Sequence, residues 1–448
     1  MRFDQDNECR TMNTAISFIK KNTVMVIALL AAVITSFIVP PDEKYLDYFD
    51  YKTLACLFSV LAVVCALKNV QFFYILACNI VKKFRNIRLC TVVLVWVTFI
   101  GSMLIANDMA LLTFLPLGYY VLHTAGKERY MAFTFIMQNI AANLGGMLTP
   151  FGNPQNLYLY SKFNIPIGEF TLIMLPPFIL AVAMITLCCI IFVKPEPIEL
   201  KSAPEKIDRK RTAVYLFLFA IAIIIVFNFI PYLIGMIFIT LTLIVMDRKA
   251  LAAVDYPLLF TFVFFFIFAG NMARIDVIKN LFSSALQLNP LLFSVISCQF
   301  ISNVPSAILL SQFTNDYHSL LLGVNIGGVG TLIASLASLI TLSKYNSLCP
   351  GKTGRYIAEF SAFNFSFLIV LTLFCSFLVR AYVVDHQTFV KHFVCKTAVF
   401  AFVPSDIILL HPLLDGRVYR HILPTVHISP FIETFNISLN VVRTESFG

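Results

Sequence analysis

The sequence is poor in charged residues, and this scarcity decides its class. Of its 448 residues, 13% are charged and 59% are hydrophobic, whereas an average globular chain is about 25% charged. A soluble protein needs polar groups over much of its exterior. The composition therefore excludes a cytosolic enzyme, a nucleic-acid-binding protein and a disordered protein. A polytopic membrane protein, with the lipid bilayer as its surroundings, is the class that remains.

The sequence also lacks the patterns of several chemical sites. Its 11 Cys residues form no CxxC motif, and those in apolar runs behave as small apolar residues. Before residue 385 there are two His residues, His123 and His318, and neither belongs to an HExxH motif. These absences predict no metal site, no cofactor and no enzymatic activity. They leave open a bound sodium ion.

Continuous apolar runs of membrane-spanning length recur between residues 23 and 384. Because these runs do not alternate between apolar and polar residues, they predict bundled helices. Two runs, 89–122 and 130–160, are too long for one crossing and are interrupted by polar residues or by Gly and Pro. The expected fold class is an all-α polytopic membrane protein with two re-entrant hairpins and two broken helices.

Loop charges predict the orientation of the chain in the membrane. The segment 41–52 is acidic, whereas 82–88 and 194–211, among others, are basic. Basic loops lie on the cytoplasmic side, so we expect a multi-pass protein of the cell inner (plasma) membrane with a cytoplasmic N-terminus. The charges of all the loops fit one orientation only if 89–122 is a hairpin that enters the membrane from inside and 289–314 is a hairpin that enters it from outside.

Two segments of the chain resemble each other. The segment from Asn143 reads NLGGMLTPFGNPQNLYLYSKF, and that from Asn325 reads NIGGVGTLIASLASLITLSKY, with seven of 21 positions identical. Average usage would give roughly one or two matches. A hairpin tip precedes each copy, at Asn107 and at Asn303. Because the two hairpins enter from opposite faces, the repeats should be inverted, as in secondary transporters that hold substrate at the midplane.

These features predict a division of the chain into five segments. The last of them carries five of the seven His residues, without the spacing of a metal site. The segments are a cytoplasmic N-terminus at 1–22, a first repeat with peripheral helices at 23–193, a cytoplasmic basic linker at 194–211, a second, inverted repeat at 212–384, and a divergent, poorly packed tail at 385–448.

The helix breaks are the expected substrate site. Unwound backbone survives in a membrane only beside a cavity, an ion or other protein. The N–H end of a half-helix attracts anions, and the carbonyl end can coordinate a cation. Helix packing is the alternative interpretation of the small residues. The expected substrate-binding residues are Asn107, Asn143, Gly145, Gly146, Thr149, Asn153, Gln155, Asn156, Ser302, Asn303, Asn325, Gly327, Gly328, Thr331, Ser335 and Ser338.

Asp108 is the only carboxylate within 89–122. A charge at the centre of a span costs about 2.5–3.5 kcal/mol on insertion scales, so this residue should face a cavity or be neutralised. It is the candidate site for a coupling proton or cation, and helix capping is its alternative role. A channel, or a sodium/proton antiporter that uses Asp108, is the alternative function.

At these residues the sequence resembles the ion transporter superfamily. Its nearest branches are the citrate transporters and arsenite permeases, and the divalent anion–sodium symporters are more distant. The resemblance implies alternating-access transport of a small anion, either a carboxylate such as citrate or an oxyanion such as arsenite, coupled to a proton or sodium gradient. It also implies a homodimer. The segments that carry it are ANDMALLTFLP (106–116), NLGGMLTPFGNPQN (143–156), ISNVPSAILLSQF (301–313) and GVNIGGVGTLIASLASLI (323–340).

In the sodium symporters, a Ser-Asn-Thr motif at each hairpin tip binds substrate carboxylates and flanks a sodium site. The tips of this sequence read AND (106–108) and SNV (302–304). The Asn is kept at both tips, and Asp108 favours proton coupling.

Overall fold

The computed structural model describes residues 22–81, 83–198 and 208–401, with residues 381–401 as helix backbone. Three predicted segments therefore lie wholly or partly outside the described residues. They are the N-terminus before residue 22, the middle of the basic linker and the tail after residue 401. By its contacts the chain divides into two compact units, Met1–Tyr382 and Val383–Gly448.

The described residues are helical and include no named strand. Their helices, in chain order, are α1 (Thr23–Ile38), α2 (Tyr51–Asn69), α3 (Phe72–Val81), α4 (Ile87–Ile105), α5 (Asn107–Thr124), α6 (Met131–Gly145), α7 (Pro154–Lys162), α8 (Ile167–Phe192), α9 (Arg209–Val226), α10 (Tyr232–Met246), α11 (Arg248–Ala252), α12 (Tyr256–Ala273), α13 (Asp276–Leu288), α14 (Pro290–Ile301), α15 (Asn303–Leu310), α16 (Tyr317–Ile326), α17 (Leu336–Leu348) and α18 (Thr353–Ala401).

Within the described ranges, five helices are long and apolar enough to cross a membrane. They are α2, α4, α8, α12 and the stretch Thr353–Arg380 of α18. A crossing needs about 20 apolar residues, so these helices agree with the all-α polytopic membrane protein that the composition predicts. Helix α18 continues to Ala401, past the predicted end of the last span at residue 384.

Helices α6 and α16 form the centre of the bundle. Every residue from Phe133 to Gly145 is buried, as is every residue from Ser319 to Ile326. Both helices carry polar side chains, among them Asn143 and Asn325, which the surrounding helices shield from lipid. Helix α6 packs against α4, α5 and α17, and α16 packs against α14, α15 and α7. Each central helix is thus held by one helix pair and by a short helix from the other half of the chain.

The two helix pairs turn in the same way. Helices α4 and α5 pack against each other and meet at Ala106, with φ 64° and ψ 152°. Helices α14 and α15 also pack together and meet at Ser302, with φ 74° and ψ 160°. This region is strained for any residue with a side chain, at about 1–3 kcal/mol. The Asn that follows each turn satisfies the next backbone N–H group. Asn107 Oδ1 accepts the N–H of Asp108, and Asn303 Oδ1 accepts that of Val304, both at 2.9 Å.

The helix after each pair is interrupted where Gly, Pro and short polar residues cluster. After α6 comes a short 3₁₀ turn, and the chain is then extended at Thr149 and again at Asn153, which precedes Pro154 at the first position of α7. Pro favours an extended residue before it and suits the first turn of a helix. After α16 the chain passes through Gly330, whose φ of 122° is natural only to glycine. Helix α17 then begins after extended Ser335.

Candidate substrate site

The two helix breaks meet through amide side chains. Asn325, at the end of α16, donates from Nδ2 to Asn156 Oδ1 at 2.6 Å. Its own Oδ1 accepts from Asn153 Nδ2 at 3.4 Å. All three side chains are buried. The break that follows α6 is therefore bonded directly to the residue that precedes the break after α16.

Both hairpin tips reach this cluster. Asn107 Nδ2 donates to Asn143 Oδ1 at 3.3 Å, and the Asn143 amide donates in turn to the backbone of α6. Asn303 lies across Gly328 from Asn143, since a Cβ atom at Gly328 would be 3.0 Å from Asn303 Nδ2 and 3.7 Å from Asn143 Oδ1. The structure thus brings together the Asn residues of both tips and of both helices that end at the breaks.

A second contact between the halves involves residues that the sequence analysis missed. Asn139 Nδ2 donates to Ser338 Oγ, and Thr341 Oγ1 donates to Asn139 Oδ1, both at 3.3 Å. Ser338 also bonds Ser335 at 3.2 Å. Asn139 lies one helical turn before Asn143, and Thr341 lies nearly one turn after Ser338. A search for polar residues one turn from the predicted ones would have found both.

The two predicted Thr residues anchor the breaks to the hairpins. Thr149 Oγ1 donates to the carbonyl of Met103 at 2.7 Å, and Thr331 Oγ1 donates to that of Gln299 at 3.0 Å. Met103 and Gln299 occupy the same place, one helical turn before the Asn of their hairpin tips. These hydroxyls therefore position the backbone of each break.

The glycines of both breaks allow close backbone contact. A Cβ atom at Gly145 would clash with the carbonyl oxygen of Phe99 and with the Ser102 hydroxyl, and one at Gly146 would clash with Asn153 Oδ1. A Cβ at Gly327 would lie 2.9 Å from Cys298 Sγ. The packing interpretation thus describes what Gly145 and Gly327 do in the structure.

Ser302 supports its own turn by donating to the carbonyl of Ala334 at 3.2 Å.

Some buried polar atoms of the site have no hydrogen-bond partner among the described residues. They are both side-chain polar atoms of Gln155 and the Oδ1 atom of Asn153. Leaving such an atom unsatisfied costs about 1–3 kcal/mol. Both residues belong to the start of α7, where backbone N–H groups also lack intrahelical partners. The hydrogen-bonding capacity of these atoms is therefore unused within the described residues.

Asp108 lies in the first turn of α5 but does not cap it. The N-cap position is held by Ala106, and the side chain that accepts a backbone N–H of the first turn is that of Asn107. The capping interpretation of Asp108 is therefore wrong. Its Oδ1 atom is buried and makes no hydrogen bond with any described residue.

The side chains of the cluster are neutral, since the hydrogen-bonded residues are Asn, Ser and Thr. Over the described part of the chain, no group of three or more His, Cys, Asp or Glu side chains is placed to hold a metal ion. The cluster thus offers a ligand amide and hydroxyl groups and the backbone groups of the helix breaks.

A sequence profile of the citrate transporter family matches residues 14–316, which include the first break and both hairpins. This chain belongs to the citrate transporter family. As a member of that family it is a multi-pass membrane transporter of small solutes.

Two relatives of this citrate transporter family member match over most of their length. It is 30% identical to the uncharacterized transporter MJ0456 of Methanocaldococcus jannaschii over 75% of this chain and 92% of the relative. It is 25% identical to the inner membrane protein YbiR of Escherichia coli over 71% of this chain and 86% of the relative. It is also 31% identical to the silicon efflux transporter LSI3 of Oryza sativa subsp. japonica, over 36% of this chain and 34% of that protein.

Proposed function

We propose that this protein is a secondary active transporter that moves a small anion by alternating access, coupled to a proton or sodium gradient. The observation that carries the proposal is the bond from Asn325 to Asn156, with Asn153 as a third member. It joins two interrupted helices through buried amides. Interrupted helices at a polar centre are how secondary transporters build a substrate site within the bilayer.

The reciprocal contacts of the two halves support an inverted repeat with two re-entrant hairpins. Helix α6 of the first half packs against α17 of the second, and α16 of the second packs against α7 of the first. The paired bonds of Thr149 and Thr331 add a local correspondence. In this proposal the substrate lies between the repeats, and their relative movement exposes it to either side of the inner membrane. The N-terminus is cytoplasmic, and the transporter is a homodimer.

The site suits an anion that has to be released after each crossing. Gln155 and the N-terminus of α7 offer neutral donors, which bind an oxyanion or carboxylate less tightly than a cage of Arg side chains would. The name of the citrate transporter family favours a carboxylate such as citrate. The name of the silicon efflux transporter favours a small oxygen-rich acid, a class that includes arsenite.

Asp108 is the proposed site of coupling. Its buried Oδ1 atom has no partner among the described residues, so it is available to a proton or a cation. The same observation supports a second candidate function, a sodium/proton antiporter in which Asp108 exchanges the two ions and no anion is carried.

Uptake by proteoliposomes tests these functions. Purified full-length protein is reconstituted, and uptake of radiolabelled citrate and of arsenite is measured under an imposed pH gradient and, separately, under a sodium gradient. We expect at least one gradient to drive accumulation of at least one probe above that in protein-free liposomes. The antiporter would instead be shown by a pH-sensitive dye inside the vesicles that responds to added sodium with neither anion present. That result without uptake would reject the anion transporter.

A further inference from the structure

The carbonyl oxygens of the first break converge on a side-chain amide. Asn156 Nδ2 lies 3.2 Å from the carbonyl oxygens of Gly146 and Met147 and 3.3 Å from that of Thr149. Asn156 is fully buried. Three carbonyl oxygens from one unwound segment thus point at a single NH₂ group.

The carbonyl oxygens of the second break converge in the same way on a different residue. Gln299 Nε2 donates to the carbonyl of Gly327 at 2.9 Å and to that of Val329 at 3.2 Å. It also lies 3.2 Å from the carbonyl oxygen of Val295 on its own helix. Gln299 lies on α14, so the second break receives its amide from the hairpin, whereas the first receives it from the helix that follows.

The orientation of each amide follows from its neighbours. The backbone N–H of Thr331 donates to Gln299 Oε1 at 2.9 Å. A backbone N–H is always a donor, so this atom must be the oxygen and its partner must be the NH₂ group. Asn156 Nδ2 faces three carbonyls, which are always acceptors, while its Oδ1 accepts from Asn325. Flipping either amide would set oxygen against oxygen.

Each half of the chain supplies one amide, from positions that do not correspond. Asn156 corresponds to Ser338 in the second copy, and Gln299 corresponds to Met103 in the first hairpin. The carbonyls of Met147 and Val329, which do correspond, nevertheless both accept from an amide. The two halves thus supply an amide donor from different positions to the same carbonyl. We infer that the carbonyl groups of each unwound segment need a hydrogen-bond donor.

A sodium ion would have to displace these amides. Unwound carbonyls that coordinate sodium must turn their lone pairs toward the ion, and here the converging carbonyl oxygens surround a buried NH₂ group that donates to them. We propose that the amides of Asn156 and Gln299 occupy the cation positions of the two breaks, so that neither break binds sodium and transport proceeds without it. The claim that transport proceeds without sodium rests on the proposed transport function, whereas the claim that the breaks bind no sodium does not.

Direct binding tests the proposal on the full-length protein in detergent. Equilibrium binding of radioactive sodium is measured against choline chloride at constant ionic strength, and Tm is measured in the same two salts. We expect no saturable sodium binding and equal Tm values. Saturable binding that unlabelled sodium displaces, and that persists in Asp108→Asn, would overturn the proposal.

Replacing an amide by its counterpart in the other half gives a sharper test. Gln299→Met and Asn156→Ser remove the donor and leave the carbonyls free to accept a cation. We expect each variant to have a lower Tm in choline and to regain part of the loss in sodium, because a ligand that binds the folded state stabilises it. Gln287→Met, which removes an exposed amide from α13, should respond to neither salt. Equal Tm values in both salts for both amide variants would contradict the assignment of a cation position.

Uptake separates this proposal from the transport function. If wild-type protein accumulates citrate or arsenite equally well in sodium and in choline, both hold. If neither probe is accumulated and no sodium binds, the transport function is rejected and the amide assignment stands. If uptake requires sodium, the claim that transport proceeds without sodium is rejected and the transport function stands.

Discussion

Asn325 donates to Asn156 at 2.6 Å across 169 residues of sequence, and both side chains are almost completely buried. Among the described residues, Asn153 also bonds Asn325, and Asn139 bonds both Ser338 and Thr341, so the broken helices are joined at two places. Buried amides that satisfy each other fix the relative position of their helices, because any shift leaves donors and acceptors unpaired in a medium without water.

Replacing Asn325 by Leu should weaken this link. The change removes the donor to Asn156 and the acceptor for Asn153, and it puts an apolar side chain of similar size in their place. We expect a loss of about 1–3 kcal/mol, the cost of a buried polar atom left unsatisfied. Unfolding of the purified protein in detergent measures it. Asn280→Leu, on the exposed face of α13, should change stability by less than about 0.5 kcal/mol. Equal stability of the two variants would contradict the role of Asn325.

Gln155→Met should separate binding from folding. Since both polar atoms of Gln155 are buried without a described partner, Met should leave Tm unchanged or raise it. If the amide binds the anion, uptake should fall by about 10- to 100-fold, because a hydrogen bond to a charged group contributes about 1.5–3 kcal/mol. Uptake of radiolabelled citrate and of arsenite is the measurement, with Gln287→Met as the control. Unchanged uptake in a stable variant would remove Gln155 from the site.

Asp108→Asn should uncouple transport. The amide keeps the size of the side chain but cannot exchange a proton. We expect exchange of labelled for unlabelled anion to continue, while an imposed pH gradient no longer increases uptake. Exchange and gradient-driven uptake are measured on the same vesicles, with wild-type protein as the reference. If gradient dependence is retained, the coupling site lies elsewhere.

Gly145→Ala should be strongly destabilising. Its Cβ would clash with the backbone of α4 at Phe99 and with the Ser102 side chain, and moving α4 away would open the first hairpin. We expect a loss of about 1–3 kcal/mol, which is typical of overpacking a core. Gly168→Ala is the matched control, because a Cβ there meets nothing within 4 Å and Ala is the better helix former. The measurement is the Tm of each variant in detergent. A Gly145→Ala variant as stable as the Gly168→Ala control would contradict the close packing at Gly145.

The ion pair between Arg274 and Asp42 should make stability depend on pH. Arg274 donates to both carboxylate oxygens, at 2.9 and 2.7 Å, and this guanidinium lowers the pKa of Asp42 below its ordinary value of 3.8. A lowered pKa stabilises the folded state above the unfolded value, and the contribution is lost as pH falls through the folded value.

Arg274→Gln should therefore lower Tm at neutral pH, and the difference in Tm should shrink as pH falls below 3.8 and through the lowered pKa of Asp42, because its carboxyl group then becomes neutral in both proteins. Tm measured across pH for wild type and variant tests this. Lys279→Gln, which removes an exposed charge from α13, should show no such pH-dependent difference. A Tm difference of the same size at all pH values would contradict the ion pair.

Much of the site could be found from the sequence because the repeat marks it. Asn143 and Asn325 occupy the same place in the two copies. The Gly and Pro residues after Asn143 and the Gly residues after Asn325 predict where the helices end. Gln299 could not be found in this way, because its counterpart is Met103 and its role depends on carbonyls about 30 residues later. The alternative role of Asp108 as a helix cap was wrong, because the chain turns at Ala106 and this residue holds the N-cap position.

Composition and the duplicated segment determined the class of the protein and the positions of its helix breaks, because burial of apolar side chains and the limits of Gly and Pro backbone act locally. The resemblance of its motifs indicated the family. The tertiary structure alone decided which amides meet. Asn325 finds Asn156, and Gln299 finds the second break, only when helices distant in sequence pack side by side. The partners of a buried polar group are chosen by that packing, and no local pattern encodes them.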